Sequence, residues 1–191
     1  MNSSALRMAR LIAVFPILGV GILWAWSPGR MTGGGSVFRP DGSTVDSATL
    51  DKTGRVTHGF ELHCQVDGQS APPLPNNLEV NWKDANGQHH FHLDVLTSAD
   101  CFFNPAWSPL PPYANFNTMV GQGTGKLDGH SGATIQFTFV DAGEPGTSDT
   151  ANYHITDSNG NPVLDVPPCS SYNPSSGACF LTFGNQQAHD S

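Results

Sequence analysis

Histidines, acids and cysteines carry most of the chemistry available to this 191-residue chain, and their densest grouping is Gln88-His-His-Phe-His-Leu-Asp94. Side chains alternate between the two faces of an extended strand, so His90, His92 and Asp94 project together. Imidazoles two residues apart can share one zinc or copper ion as neutral ligands. His63, His154 and His189 are the remaining candidates for a third or fourth ligand, and spacing alone places none of them. The plainer alternative is a solvated polar strand face opposite Phe91, Leu93 and Val95.

A second grouping is acidic: Asp141, Glu144, Asp149, Asp157 and Asp165. Asp157-x-Asn159-x-Asn161 resembles the first half of a calcium loop, in which hard oxygen ligands alternate along a tight turn. Its glycine, however, stands at the fourth position, whereas the helix-loop-helix site needs glycine at the sixth and Glu at the twelfth. A simple hairpin turn explains the residues as well. Asp141 to Asp149 reads first as an acidic loop. Nucleophilic catalysis finds little support, because there is no Gly-x-Ser-x-Gly. Glycoside hydrolysis by paired carboxylates stays open, since their separation is not fixed by sequence. Trp107 and Tyr113 are aromatics able to stack on sugar rings, whereas Trp82 reads as core. Gly121, Gly123 and Gly125 alternate, but no strand-to-helix transition surrounds them, so they are not a dinucleotide fingerprint.

Cys64, Cys101, Cys169 and Cys179 are an even set, and four cysteines allow three connectivities. A bridge from Cys169 to Cys179 would pin the turn-rich excursion between them and leave Cys64 with Cys101. Such loops contribute on the order of 3 and 4 kcal/mol in the chain-entropy model. A four-cysteine metal site is the weaker reading, because no Cys-x-x-Cys pair is present.

The elements that must position these groups begin after the N-terminus. Arg7 and Arg10 precede an uncharged run from Leu11 to Trp26, the pattern of a signal peptide or an uncleaved N-terminal anchor helix over residues 1–27. Ala25 suits the residue before a cleavage point. Residues 28–50 read as a flexible linker or lead-in strand, and 51–191 as a single domain. Beyond the leader, six basic residues oppose sixteen acids, a formal charge of −10. That balance argues against nucleic acid and anionic membranes as partners, leaving the membrane accessible only through the N-terminal segment.

Within the domain, two-residue alternation recurs. Val56 to Cys64, Leu78 to Trp82, His90 to Leu96, Phe116 to Leu127, Ala133 to Val140, Ala151 to Thr156, Pro162 to Leu164 and Phe180 to Phe183 read as strands, followed by a tail from Gly184. Asn159-Gly160 is a strong hairpin signal. A proline-rich surface loop from Phe102 to Pro112 is expected to carry Trp107. No helical period is found outside the leader, so the expected fold is an all-β antiparallel sandwich of about seven to nine strands.

Several phrases together, Met31-Thr-Gly-Gly-Gly-Ser, Arg55-Val-Thr-His-Gly-Phe-Glu-Leu-His-Cys64, Leu74-Pro-Asn-Asn-Leu-Glu-Val-Asn-Trp82 and Leu181-Thr-Phe-Gly-Asn-Gln-Gln-Ala-His189, resemble a family of exported bacterial modules found after choice-of-anchor surface domains. The resemblance implies an extracytoplasmic, modular protein and supports pairing Cys64 with Cys101. It implies no catalytic residues. The Cys169 to Cys179 excursion and the histidines at 89 and 90 depart from it. The expected function is a secreted or cell-surface non-catalytic module, accessory, adhesive or structural, with a protein or glycan ligand. The alternatives are a zinc- or calcium-binding protein or small metal-dependent hydrolase using His90 and His92, and a carbohydrate-binding module.

Overall fold

The computed structural model describes residues 29–38, 54–66, 69–84, 86–107, 114–169 and 179–190. The signal or anchor segment at 1–27 and Tyr113 lie outside them. Nine strands follow one another: β1 (Gly29–Phe38), β2 (Arg55–His63), β3 (Asn77–Asp84), β4 (Gly87–Phe102), β5 (Thr118–Leu127), β6 (His130–Val140), β7 (Thr150–Thr156), β8 (Pro162–Val166) and β9 (Phe183–Asp190), with a short 3-10 turn at Gly146–Ser148 between β6 and β7. Every pairing is antiparallel.

The all-β antiparallel expectation and the strand count hold, but the two layers of a sandwich are not what the hydrogen bonds draw. All nine strands lie in one sheet, ordered β8-β7-β6-β5-β4-β3-β2-β1-β9. Each strand from β1 to β7 pairs with the next, and β9 returns to the free side of β1. The sheet curls on itself, because inward side chains of β2 meet those of β6 four strands away. The rings of Phe60 and Phe139 stack with centroids 4.0 Å apart. Met31, Leu62, Leu78, Phe91, Ile135 and Ile155 join them in one buried core. A sheet that faces itself needs no second sheet to bury its apolar side.

The alternating glycines of β5 find their explanation here. Gly121 and Gly125 occupy inward positions where Phe137 of β6 and Phe91 of β4 lie across the backbone. Large rings on neighbouring strands fill the space that β5 leaves empty, and a Cβ on Gly121 would overlap the Phe137 ring. Gly121→Val is therefore expected to cost about 3 kcal/mol through overpacking, read as a lower urea midpoint at unchanged slope.

One part of the sequence reading narrows and another changes. Of the stretch read as a flexible linker or lead-in strand, Gly29–Phe38 is β1, hydrogen-bonded on both sides between β2 and β9. Its glycines hid it, since Thr32 to Ser36 show no apolar alternation. The stretch read as a tail from Gly184 is β9. Its central residues, Asn185-Gln-Gln, are polar, so the strand is imposed by tertiary partners and not by local propensity. The bridges join Cys64 to Cys101, with Cα atoms 5.6 Å apart, and Cys169 to Cys179, 5.9 Å apart. Two such bridges fit an oxidising, extracytoplasmic environment. No helix of the described residues is long and apolar enough to cross a membrane.

Candidate functional site

The β6–β7 loop grips the outer edge of β9. Asp149 Oδ2 accepts the Gln186 N–H at 2.7 Å and Oδ1 the Ala142 N–H at 2.8 Å. Asp141 accepts the N–H groups of Ala188 and Gly143, both at 2.8 Å. Gln186 and Ala188 are two residues apart, so both donors point away from β1. The carboxylates thus stand where a tenth strand would offer carbonyls. Asn185 donates to Glu144 at 2.7 Å. Burial pushes the Asp149 carboxyl up to about 7 and raises Asp141 as well, against the lowering effect of these N–H donors. The acidic loop is a structural clasp.

The histidine cluster is differently arranged from the sequence expectation. His90 and His92 do share the outward face of β4, but the carboxylate between them is Glu79 of β3, which bonds both imidazoles. Register places Glu79 opposite His92. Asp94 instead lies 3.6 Å from Lys126. His63 is held by the Pro75 carbonyl, His154 by Asp165 and His189 by Thr32. Among the described residues no group of three or more His, Cys, Asp or Glu side chains is arranged to hold a metal ion. Glu79 was missed because cross-strand neighbours are invisible until the β3–β4 register is known.

His89 points the other way, toward the rim of the curled sheet. It contacts Asp128 at 2.8 Å and Asp84 at 3.1 Å, linking the β5–β6 turn to the β3–β4 turn. Burial alone would lower its pKa, but hydrogen bonds to both carboxylates outweigh it, and the net direction is upward. A raised imidazole stabilises the fold below its ordinary pKa and loses that contribution as pH rises through the folded value. His89→Gln is expected to cost about 1 kcal/mol near pH 5 and less near pH 9, measured by urea unfolding at both. A constant difference would rule out the charged link.

The calcium-like loop is spent on itself. Asp157 accepts the N–H groups of Asn159 and Asn161, both at 2.8 Å, and the Asn161 side-chain amide at 3.0 Å. The Asn161 hydrogen bonds hold its carboxyl below the usual range. Gly160 takes φ of 82° in the same turn. Trp107 also changes role. It is 6% exposed and packs edge-on against Phe180, so it offers no sugar platform.

An open concavity of about 400 Å³ remains on the outward face of β4 to β8. Register builds its floor. Ser98, Gln122, Gln136, His154 and Asp165 lie directly opposite one another on five successive strands. A second row joins Asp100, Val120, Thr138 and Asn152. Register shifts in β4 between Leu93 and Val95, and between Leu96 and Ser98, bend the strand beside the concavity. The side chains of Ser98, Gln122, Gln136, Thr138 and Asn152 make no hydrogen bond among the described residues. Burial raises the Asp100 carboxyl.

Comparison with protein-family models, curated proteins and solved structures finds no match. The site must therefore be read from its own chemistry. The sequence alone singles out His154 and Asp165, but not the amides of Gln122 and Gln136 that continue their row. Outward positions of alternating strands carried that signal, and only the register aligned them.

Proposed function

We propose that the protein is an exported, non-catalytic binding module whose recognition surface is the polar concavity across β4 to β8. One observation carries the reading: five amide and hydroxyl side chains converge on rigid strands, without hydrogen-bond partners among the described residues, over a bent part of the sheet. Fixed polar groups around a concave surface are the usual means of orienting a ligand. The two bridges and the leader-like N-terminus support export, and the resemblance to modules that follow choice-of-anchor domains agrees.

Hydrolysis is the weaker reading. Asp100 and Asp165 stand on β4 and β8, four ladder steps apart, roughly 19 Å along the sheet. Glycosidase carboxylates lie within about 10 Å of each other. The test compares the protein with its Gln122→Ala/Gln136→Ala variant for co-sedimentation with cell envelopes. Loss of at least about tenfold in bound fraction, at an unchanged urea midpoint, is expected. Equal retention of both proteins would sink the proposal.

A further inference from the structure

Resting on that reading, we infer that the ligand of the concavity is a neutral, hydroxyl-rich glycan. The first argument is the donor and acceptor inventory. Gln122, Gln136 and Asn152 each present two N–H donors and a carbonyl acceptor, and Ser98 and Thr138 present hydroxyls. A sugar hydroxyl donates and accepts at once, so amides and hydroxyls satisfy both functions. No pairing within the described residues has to break first.

Charge narrows the class further. The described lining contains no Lys or Arg, and the one imidazole in it, His154, lies 3.3 Å from Asp165. A domain of formal charge −10 repels nucleotides, acidic peptides and uronate polymers. A cationic peptide is disfavoured for a geometric reason. The carboxylates Asp100 and Asp165 occupy the first and last strands of the floor, leaving a neutral centre. At that centre Val120, 39% exposed, offers a small apolar surface suited to the C–H face of a sugar ring.

Repetition is the third argument. Gln122 and Gln136 are directly opposite each other on adjacent strands, so like groups recur at about 4.8 Å. A polymer with a short chemical repeat meets the same side chain twice. The described lining supplies no exposed aromatic platform, so binding is expected to be weak, with Kd of about 1 mM.

The experiment titrates the 15N-labelled protein, bridges intact, with neutral gluco-, xylo- and manno-hexasaccharides, an oligogalacturonate and a lysine-rich hexapeptide. At least one neutral glycan is expected to shift the side-chain amide signals of Gln122, Gln136 and Asn152. Affinity should fall at least about tenfold in Gln122→Ala/Gln136→Ala. That variant's remaining spectrum should overlay the original, and Asn152→Asp serves as a second variant if it does not. Shifts at these amides from only the peptide or the oligogalacturonate overturn the glycan class while leaving the concavity a binding surface. Silence toward every probe overturns both the ligand class and the binding-module reading.

Discussion

Replacing Asp149 by Ala is expected to remove on the order of 4 kcal/mol of stability, enough to threaten folding altogether. The side chain is fully buried and serves two backbone donors, Ala142 N–H inside its own loop and Gln186 N–H on β9. Truncation strands both donors in a site that the clasp keeps closed, and each buried unpartnered N–H costs about 1–3 kcal/mol. Asp149→Asn keeps one acceptor and turns an N–H₂ group toward the other donor, so about half the loss is expected. The measurement is the urea midpoint of both variants, with hydrogen exchange of the β9 amides as a local readout. The clasp account fails if Ala and Asn are equally mild, or if β9 exchanges no faster in the alanine variant.

The second large effect concerns pH and centres on His58. This imidazole is 7% exposed, stacks near Phe60 and Phe139, and leaves Nδ1 without a partner among the described residues. Its Nε2 faces the Gln186 side-chain amide at 3.4 Å. Burial lowers its pKa from 6.5 to about 3. The unfolded chain binds a proton below about 6.5 and the folded chain does not, so His58 lowers stability as pH falls from 6.5 to 3. The full loss is about 5 kcal/mol.

Asp149 acts in the opposite direction. Its folded carboxyl binds a proton below about 7, whereas the unfolded one waits until 3.8, so it adds stability as pH falls through that window. Between pH 4 and 6.5 the two contributions oppose each other at about 1.4 kcal/mol per pH unit each. His58→Phe removes one of them. The variant should match the original protein near pH 8 and exceed it increasingly on acidification, by several kcal/mol at pH 3.5, in urea titrations across the range. A difference independent of pH would mean that His58 does not stay neutral in the folded protein.

How far the fold was legible follows from which residues carried periodic information. Val56 to Leu62 and Ile135 to Phe139 alternate cleanly, and both are strands with those residues in the core. The glycines of β1 and the amides of β9 carry no such pattern, because those strands are held by neighbours distant in sequence. The same limit applies to the site. His90 and His92 were visible as a pair, but Glu79 and the row from Ser98 to Asp165 exist only through register. The sandwich expectation failed to allow for curvature, which depends on rings such as Phe60 and Phe139 meeting across four strands. Alternation reports which face is buried, and says nothing of what it is buried against.

The antiparallel register also sets Gly29 directly opposite Asp190. The first residue of the first strand and the last residue of the last one therefore leave the sheet side by side, at the pole where the Gly29 carbonyl accepts the Cys64 N–H. Neighbouring ends of this kind let a module hang from its host at a single point, or sit within a host loop without stretching it.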